Sequence, residues 1–268
     1  MRPIFSGKSI LITGASSGIG AALANEFARQ GAQVILSARR LERIESFARE
    51  ICAAGGSAHA FACDVTDDDS VDDLFAAIRA RGLAVDILVA NAGFAVVGKF
   101  QNLSLEDYRR QFETNVFGVL RTVSASLDAL RRARGWIVLI GSVAGHVPSP
   151  RQSAYSMSKF ALRALAQGLR ADLRAEGIGV TLISPGYVDS DIRRTDNRGR
   201  VHAAATDPVP AWLRMPAAAA ARDIVAAVHR RKREHVITAH GKLLVWLYRH
   251  FPWTLHRALD RGRRLRND

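Results

Sequence analysis

Apolar and polar residues alternate in blocks along the chain. Ser9-Ile10-Leu11-Ile12-Thr13, Gln33-Val34-Ile35-Leu36-Ser37-Ala38, Ser57 to Cys63, Val85-Asp86-Ile87-Leu88-Val89, Trp136-Ile137-Val138-Leu139-Ile140 and Gly179-Val180-Thr181-Leu182-Ile183-Ser184 are short apolar runs, read as strands buried on both faces. A last strand is expected near His235-Val236-Ile237-Thr238. Helical spacing fills the intervals: Ala21 to Gln30 ended by Gly31, Leu41 to Ala54, Ser70 to Ala80, Leu105 to Leu120 or beyond, Ser153 to about Glu176, and Pro216 to Arg231. Strand and helix alternate with no linker to divide them. That predicts an α/β chain: one domain over residues 1–240, built on a doubly wound parallel sheet of about seven strands with helices on both faces. Residues 187–215 hold no clear periodicity but carry Tyr187, Trp212, Leu213 and Met215, as a lid over a substrate would.

Candidate chemistry gathers at the expected strand ends, where open parallel sheets bind ligands. The first strand runs straight into Gly14-Ala15-Ser16-Ser17-Gly18-Ile19-Gly20 and a helix start. Glycines let backbone N–H groups approach a phosphate, and the helix dipole favours an anion there. The same stretch fits the G-x-S-x-G elbow of a serine hydrolase, with Ser16 as nucleophile. An elbow normally follows several strands and an oxyanion loop, whereas here only about a dozen residues precede it, so the hydrolase is the alternative. The second strand ends in Arg39-Arg40, where an acid would bind the ribose of NAD. Arginine there suits a 2′-phosphate, so NADP(H) is the expected cofactor, with Arg39 as principal ligand ahead of Arg40. Strand three ends at Cys63-Asp64-Val65, strand four at Ala90-Asn91-Ala92-Gly93, strand five at Gly141-Ser142 and strand six at Pro185-Gly186. Ser153-Ala154-Tyr155-Ser156-Met157-Ser158-Lys159 opens a long helix and sets Tyr155 and Lys159 on one face. A phenol titrates near 10, and an ammonium beside it favours the phenolate, which makes a candidate acid/base pair. In isolation such a tetrapeptide is equally a helix start with a lysine lying along the surface.

Taken together, Thr13-Gly14-x-x-x-Gly18-x-Gly20, Asp64, Asn91-Ala92-Gly93, Asn115, Ser142, Tyr155-x-x-x-Lys159 and Pro185-Gly186 resemble the short-chain dehydrogenase/reductase family, from about Lys8 to Thr238. The resemblance implies a Rossmann fold and an oxidoreductase acting between nicotinamide and a ketone or alcohol. It implies that Tyr155 moves the substrate proton, Ser142 hydrogen-bonds the carbonyl, Lys159 lowers the Tyr155 pKa and binds the nicotinamide ribose, and Asn115 holds a water in the relay. The cofactor is expected on Gly14, Ser16, Ser17, Gly18, Ile19, Gly20, Arg39, Arg40, Asp64, Val65, Asn91, Ala92, Gly93, Tyr155, Lys159, Pro185, Gly186, Val188 and Ser190. Substrate is expected against Ser142, Tyr155, Tyr187 and Trp212. Two departures are Ala90 where the family often has Asn, and Ser190 where it often has Thr. In the family the Leu105–Leu130 and Ala154–Glu176 helices pack on their copies, so a homodimer or homotetramer is expected.

Composition changes the picture only at one end. The chain has 268 residues, 48% of them hydrophobic, and two cysteines in no metal-ligand spacing, as a cytoplasmic enzyme without metal would. Of the net charge of +13, residues 230–268 carry +8, from eleven Lys and Arg against three acids. Residues 241–268 are therefore read as a basic amphipathic extension. Leu244, Leu247, Tyr248, Phe251, Leu255 and Leu259 share a face, Arg249, Arg257, Arg261 and Arg264 lie off it, and Pro252 divides it into two helices. Such a segment suits the surface of an anionic membrane and an apolar ketone of acyl, sphingoid or steroid type; equally, it suits closure of the core or of a subunit interface. Basic residues interleaved with large apolar ones, with no recognition motif, argue against nucleic acid. A nucleotide-binding regulator without turnover is the third class of function.

Overall fold

The computed structural model describes residues 3–202 and 204–253. Among these, β1 (Ser9–Thr13), β2 (Gln33–Ala38), β3 (Ser57–Ala62), β4 (Ile87–Ala90), β5 (Trp136–Ile140), β6 (Gly179–Ser184) and β7 (Glu234–Val236) form one parallel sheet. Across the sheet they lie in the order β3-β2-β1-β4-β5-β6-β7. The order reverses between β1 and β4, which opens a crevice at their carboxyl ends.

The apolar runs become central strands because their alternate side chains find a different core on each face. Ile10, Ile12, Val34, Leu36, Val138 and Ile140 pack with Leu23 and Phe27 of α1 (Gly18–Arg29), Ile44 of α2 (Leu41–Ala53) and Ile224 of α7 (Ala217–His229). Leu11, Ile35, Leu88, Ile137 and Leu139 point the other way, onto Leu74 and Ile78 of α3 (Asp68–Ala80), Val119 and Val123 of α5 (Gly118–Ala133) and Leu162 of α6 (Ser153–Asp172). Each such side chain contributes roughly 1.5–3 kcal/mol when fully buried. A one-residue slip of β1 would exchange Leu11 for its neighbours and empty both cores at once.

Differences from the sequence expectation concern element ends and one helix interior. The Asp67 carboxylate accepts from Asp69 N at 3.1 Å, so α3 starts at Asp68 rather than Ser70. Helix α6 stops at Asp172, and Ile178 N turns back to Leu173 O at 3.3 Å with Gly177 at a positive φ of 75°. Strand β4 begins at Ile87, because Asp86 is occupied in pinning the entry of β1, its carboxylate accepting from Lys8 Nζ at 2.8 Å and Ser9 N at 2.9 Å. The helix expected from Leu105 is α4 (Leu105–Phe112), a π turn over Glu113–Phe117, and then α5.

Residues 187–215 close on themselves. Asp189 N donates to Met215 O at 3.0 Å and Met215 N to Tyr187 O at 2.9 Å, so the two ends of the segment are stitched side by side. Helix α8 (Ala239–His250) begins before the expected 240/241 boundary, and its Gly241 is buried where a Cβ would meet Thr238 Oγ1 at 2.5 Å and Val143 Cγ2 at 2.7 Å. The first turn of the extension is thus seated on the domain. No helix among the described residues is long and apolar enough to cross a membrane. Leu255, Leu259, Arg257, Arg261 and Arg264, expected on a second amphipathic piece, lie outside the described residues.

Candidate active site

The crevice is built by the turn after β1. Thr13 Oγ1 accepts from both Asn91 N at 3.1 Å and Ala92 N at 3.2 Å, and Asn91 Nδ2 donates back to Thr13 O at 2.9 Å and Gly14 O at 3.1 Å. These bonds tie the ends of β1 and β4 together across the point of reversal. The turn is too tight for side chains: a Cβ on Gly20 would lie 2.4 Å from Gly14 O, and one on Gly14 would lie 2.7 Å from Ala92 Cα. Ser17 caps α1 with no side-chain bond, so the first N–H groups of the helix, at Ile19 and Gly20, are left to an anion. Ser190 fills the space beside Gly18, which brings the start of the 187–215 segment over the turn. Gly93 lies against the Asn115 amide, and Val65 against Gly118.

The two arginines after β2 make different contacts. Arg40, not Arg39, reaches the turn, with Nη2 donating to Ser16 Oγ at 2.8 Å. Arg39 is two-thirds exposed, and its Nη1 stands 3.8 Å from Asp64 Oδ2. Asp64 is itself oriented by Thr66 N at 3.0 Å and Thr66 Oγ1 at 2.8 Å. Arg40 is the N-cap residue of α2, one position beyond Arg39 at the strand-to-helix junction. The same contact disposes of the hydrolase elbow. A guanidinium stays protonated and cannot serve as base to Ser16, and among the described residues no hydrogen bond joins Ser16 to a histidine.

Tyr155, Lys159, Ser142 and Asn115 converge from three elements. Lys159 Nζ lies 5.6 Å from the Tyr155 ring centroid and donates to Ile140 O, the last carbonyl of β5, at 2.8 Å. Two residues on, Ser142 accepts from Ala144 N at 3.1 Å and donates to Pro185 O at 3.4 Å, which fixes its hydroxyl beside the Tyr155 phenol. Asn115 sits in the π turn, fully buried, with Oδ1 accepting from Phe94 N at 3.1 Å and Nδ2 donating to Phe94 O at 3.1 Å and Ser158 Oγ at 3.2 Å. Its side chain is therefore a strut between the strand-four loop and α6. The sequence reading missed two companions, Ser158 and Gln111. Gln111 accepts from Val96 N at 2.6 Å and donates to Phe94 O at 2.9 Å. A second polar residue four positions before Asn115, on the same helix face, was the available signal.

Burial dominates the electrostatics. It pushes the Tyr155 phenol up, while the Ser142 hydrogen bond and the charge of Arg193 act in the lowering direction. Lys159 is expected to lower the phenol, but burial drives its own ammonium down to about 8. The phenol is thus held as an acid at neutral pH, ready to donate. At the start of the 187–215 segment, Tyr187 stacks on His240 with ring centroids 5.5 Å apart, and its N–H meets His240 Nε2 at 3.2 Å. Val188 is buried, and Ser190 Oγ donates to Val188 O at 3.4 Å. Gly186 lies against Thr238 and His240. Trp212, expected against substrate, is 83% exposed in a short turn and stands in solvent.

A depressed lysine has a definite stability signature. Between pH 8 and 10.5 the unfolded chain binds more protons than the folded one, so the penalty of burying Lys159 is full below 8 and is relieved as pH rises. It amounts to about 3 kcal/mol, against about 1 kcal/mol for the bond to Ile140 O. Lys159→Met is expected to be more stable than the parent by about 1–2 kcal/mol at pH 7. Urea unfolding at pH 7 and pH 10 measures this, and the advantage must shrink at the higher pH.

Comparison with known proteins agrees with this geometry. The family model described as short chain dehydrogenase matches residues 8–200. Serine 3-dehydrogenase of Agrobacterium fabrum is 38% identical over 184 residues, covering 68% of this chain and 73% of that protein. Glycine betaine reductase of Emericella nidulans is 38% identical over 188 residues, which are 70% of this chain but 15% of that longer protein. A short chain dehydrogenase/reductase of Burkholderia phymatum, solved in complex with NAD, superimposes with a TM-score of 0.80 at 27% identity, covering 91% of this chain and 94% of the other. Sheet order, glycine turn, catalytic convergence and matched length lead to one conclusion: the chain belongs to the short-chain dehydrogenase/reductase family of oxidoreductases.

Proposed function

We propose that the protein is an NADPH-dependent reductase of an uncharged, apolar ketone, running in reverse as an alcohol dehydrogenase. The observation that carries the cofactor choice is the Arg40–Ser16 bond at 2.8 Å, which sets a guanidinium on the phosphate turn with Arg39 beside it and no acid at the end of β2. A 2′-phosphate would be held by Arg40, Ser16 and Arg39, and adenine by Asp64 and Val65. The diphosphate would lie on Gly14 to Gly20, supported by Asn91, Ala92 and Gly93. The ribose would fall to Lys159 and Tyr155, and the nicotinamide to Pro185, Gly186, Val188 and Ser190. When bound, NADP(H) supplies or accepts the hydride. The chain supplies the rest: the hydroxyls of Ser142 and Tyr155 hydrogen-bond the carbonyl oxygen, and Tyr155 gives its proton as that oxygen gains charge. An uncharged substrate follows from the lid, whose Arg193, Arg194 and Arg214 are each paired with a lid aspartate. The complete set of Ser142, Tyr155 and Lys159 favours turnover over a purely regulatory role.

Two surfaces extend this reading. Leu105, Phe117 and Met157 are exposed on neighbouring turns of α4, the π turn and α6, with Tyr108 and Phe112 between them; we take this face to join copies of the chain. Leu243, Trp246, Phe251 and Trp253 are exposed along and just after α8, among Lys242 and Arg249, as a peripheral contact with an anionic bilayer would require.

Tyr155→Phe is expected to lower turnover of any accepted ketone by about 10²–10⁴-fold with cofactor affinity nearly intact. Steady-state rates with a panel of ketones measure it, and retained turnover removes Tyr155 from its role. Arg40→Ala is expected to lower the NADPH-to-NADH efficiency ratio by about 10–100-fold, the worth of a charged hydrogen bond, with a smaller fall for Arg39→Asp. An unchanged ratio in both variants rules out the 2′-phosphate assignment. Sedimentation reads the two surfaces: a mass of two or four chains for the protein alone, and pelleting with anionic vesicles that salt reverses. A single-chain mass, or indifference to vesicles, rejects the corresponding surface.

A further inference from the structure

A cleft between β7, the edge strand, and α8 uses none of the residues assigned to the crevice. Its volume is about 280 Å³. Lys242, Val245, Trp246 and Arg249 line it at spacing i, i+3, i+4 and i+7, so one face of α8 carries a cation at each end with apolar surface between. Both cations are exposed, and among the described residues neither side chain makes an ion pair or a hydrogen bond. The acid in the wall is engaged elsewhere: Glu234 Oε1 stands 3.4 Å from His146 Nε2 and 3.9 Å from Arg163 Nε, and neither partner lines the cleft. His235 is committed too, with Nε2 3.0 Å from Asp223 Oδ1. The Trp246 ring is held beside His250, centroids 5.1 Å apart, whose Nδ1 donates to Trp246 O at 2.9 Å. The cleft therefore combines two cations that the described chain does not neutralise with an aromatic wall that is already in place.

We propose that this cleft binds a phosphate ester, with Lys242 and Arg249 on the phosphate oxygens and Val245 and Trp246 against the adjoining carbon. Seven residues of helix rise about 10.5 Å, a span that two long side chains close from both ends onto one group. The oxygens of a phosphate point apart from a tetrahedral centre, so it can be held from both ends, whereas those of a carboxylate lie on one side. A guanidinium and an ammonium both serve as phosphate donors, the first in a fork and the second as a point charge. Sites for whole drug-sized ligands run from roughly 300 Å³ upward, so a cleft of about 280 Å³ takes a headgroup-sized part. Any longer chain on the ester lies outside, along the exposed Leu243 and Trp246. The same chemistry comes from a lipid headgroup or from a soluble phosphate ester. A headgroup here deepens the bilayer contact proposed for α8 and rests on that reading; a soluble ester does not.

Calorimetric titration of the full-length chain tests the cleft with two probes: dihexanoylphosphatidylglycerol below its micelle-forming concentration, and inorganic phosphate. NADP+ is kept in excess so that the glycine turn does not compete, and the cleft is read as the binding lost in the double variant Lys242→Gln with Arg249→Gln. That variant is expected to weaken binding by about 10-fold or more, and Lys242→Arg with Arg249→Lys to restore it. Arg79→Gln with Arg132→Gln removes the same charge from α3 and α5 and is expected to leave affinity in place. Trp246→Ala assigns the source. A fall for the lipid analogue alone supports a lipid headgroup, and no fall for either probe supports a soluble ester. Binding of neither probe overturns the proposal, as does equal affinity in the parent and the Lys242/Arg249 variant, or an equal fall in the Arg79/Arg132 variant, which marks unspecific attraction to net charge. A parent chain that ignores anionic vesicles rejects the bilayer contact alone, and the titration with inorganic phosphate still decides the cleft.

Discussion

One hydroxyl holds the crevice in shape. Thr13 Oγ1 takes two amide protons from the end of β4, and Asn91 answers with two bonds to the backbone at the end of β1. Both strands stop there, so neither ladder can continue to satisfy those groups, and water is the alternative partner. With the side-chain bonds made, the glycine turn is fixed to the strand beside it, and the close approach of Gly20 to Gly14 O leaves no slack. Every other site element is placed relative to that junction. Arg40 reaches it from the end of β2, Asp64 stands beyond Arg39, and Ser190 covers it from the 187–215 segment.

The π turn at Glu113–Phe117 answers a packing problem of the same kind. Loop residues Phe94 and Val96 leave the sheet with unpaired backbone groups, and Gln111 and Asn115 satisfy them. Asn115 must also meet Ser158 on α6. A π turn rotates the residues after it relative to a regular helix, so Asn115 can serve the loop while Val119 and Val123 still face the sheet. Four buried or part-buried hydrogen bonds of about 1 kcal/mol each outweigh the cost of one irregular turn.

How far the sequence could be read follows from which forces are local. Strand positions were legible because burial on both faces leaves runs such as Ile10 to Ile12, and the glycine turn was legible because its backbone geometry allows few residues. The helix interior at Asn115 was not, since the demand for a π turn comes from Phe94, twenty-one residues away in sequence. Arg39 was ranked ahead of Arg40 as a phosphate ligand, whereas the contact with the turn is made by Arg40, because the direction of a side chain at a strand-to-helix junction depends on where the helix starts. The Arg193–Asp207 pair was invisible for a similar reason: fourteen residues of aperiodic chain separate its partners, and no local pattern announces the contact.

Spacing sets Tyr155 and Lys159 on one helix face, and the folded chain holds Lys159 Nζ 5.6 Å from the Tyr155 ring centroid, yet burial opposes the charge argument attached to that pairing. Proximity of a cation lowers a phenol only if the cation remains charged, and the same burial that excludes water from Tyr155 also drives Lys159 down to about 8. A site that relied on Lys159 alone would lose its support for the phenolate as the surroundings became drier. The Ser142 hydroxyl escapes that limit, because it has no charge to lose and its hydrogen bond acts on the phenol in the lowering direction whatever the protonation of Lys159.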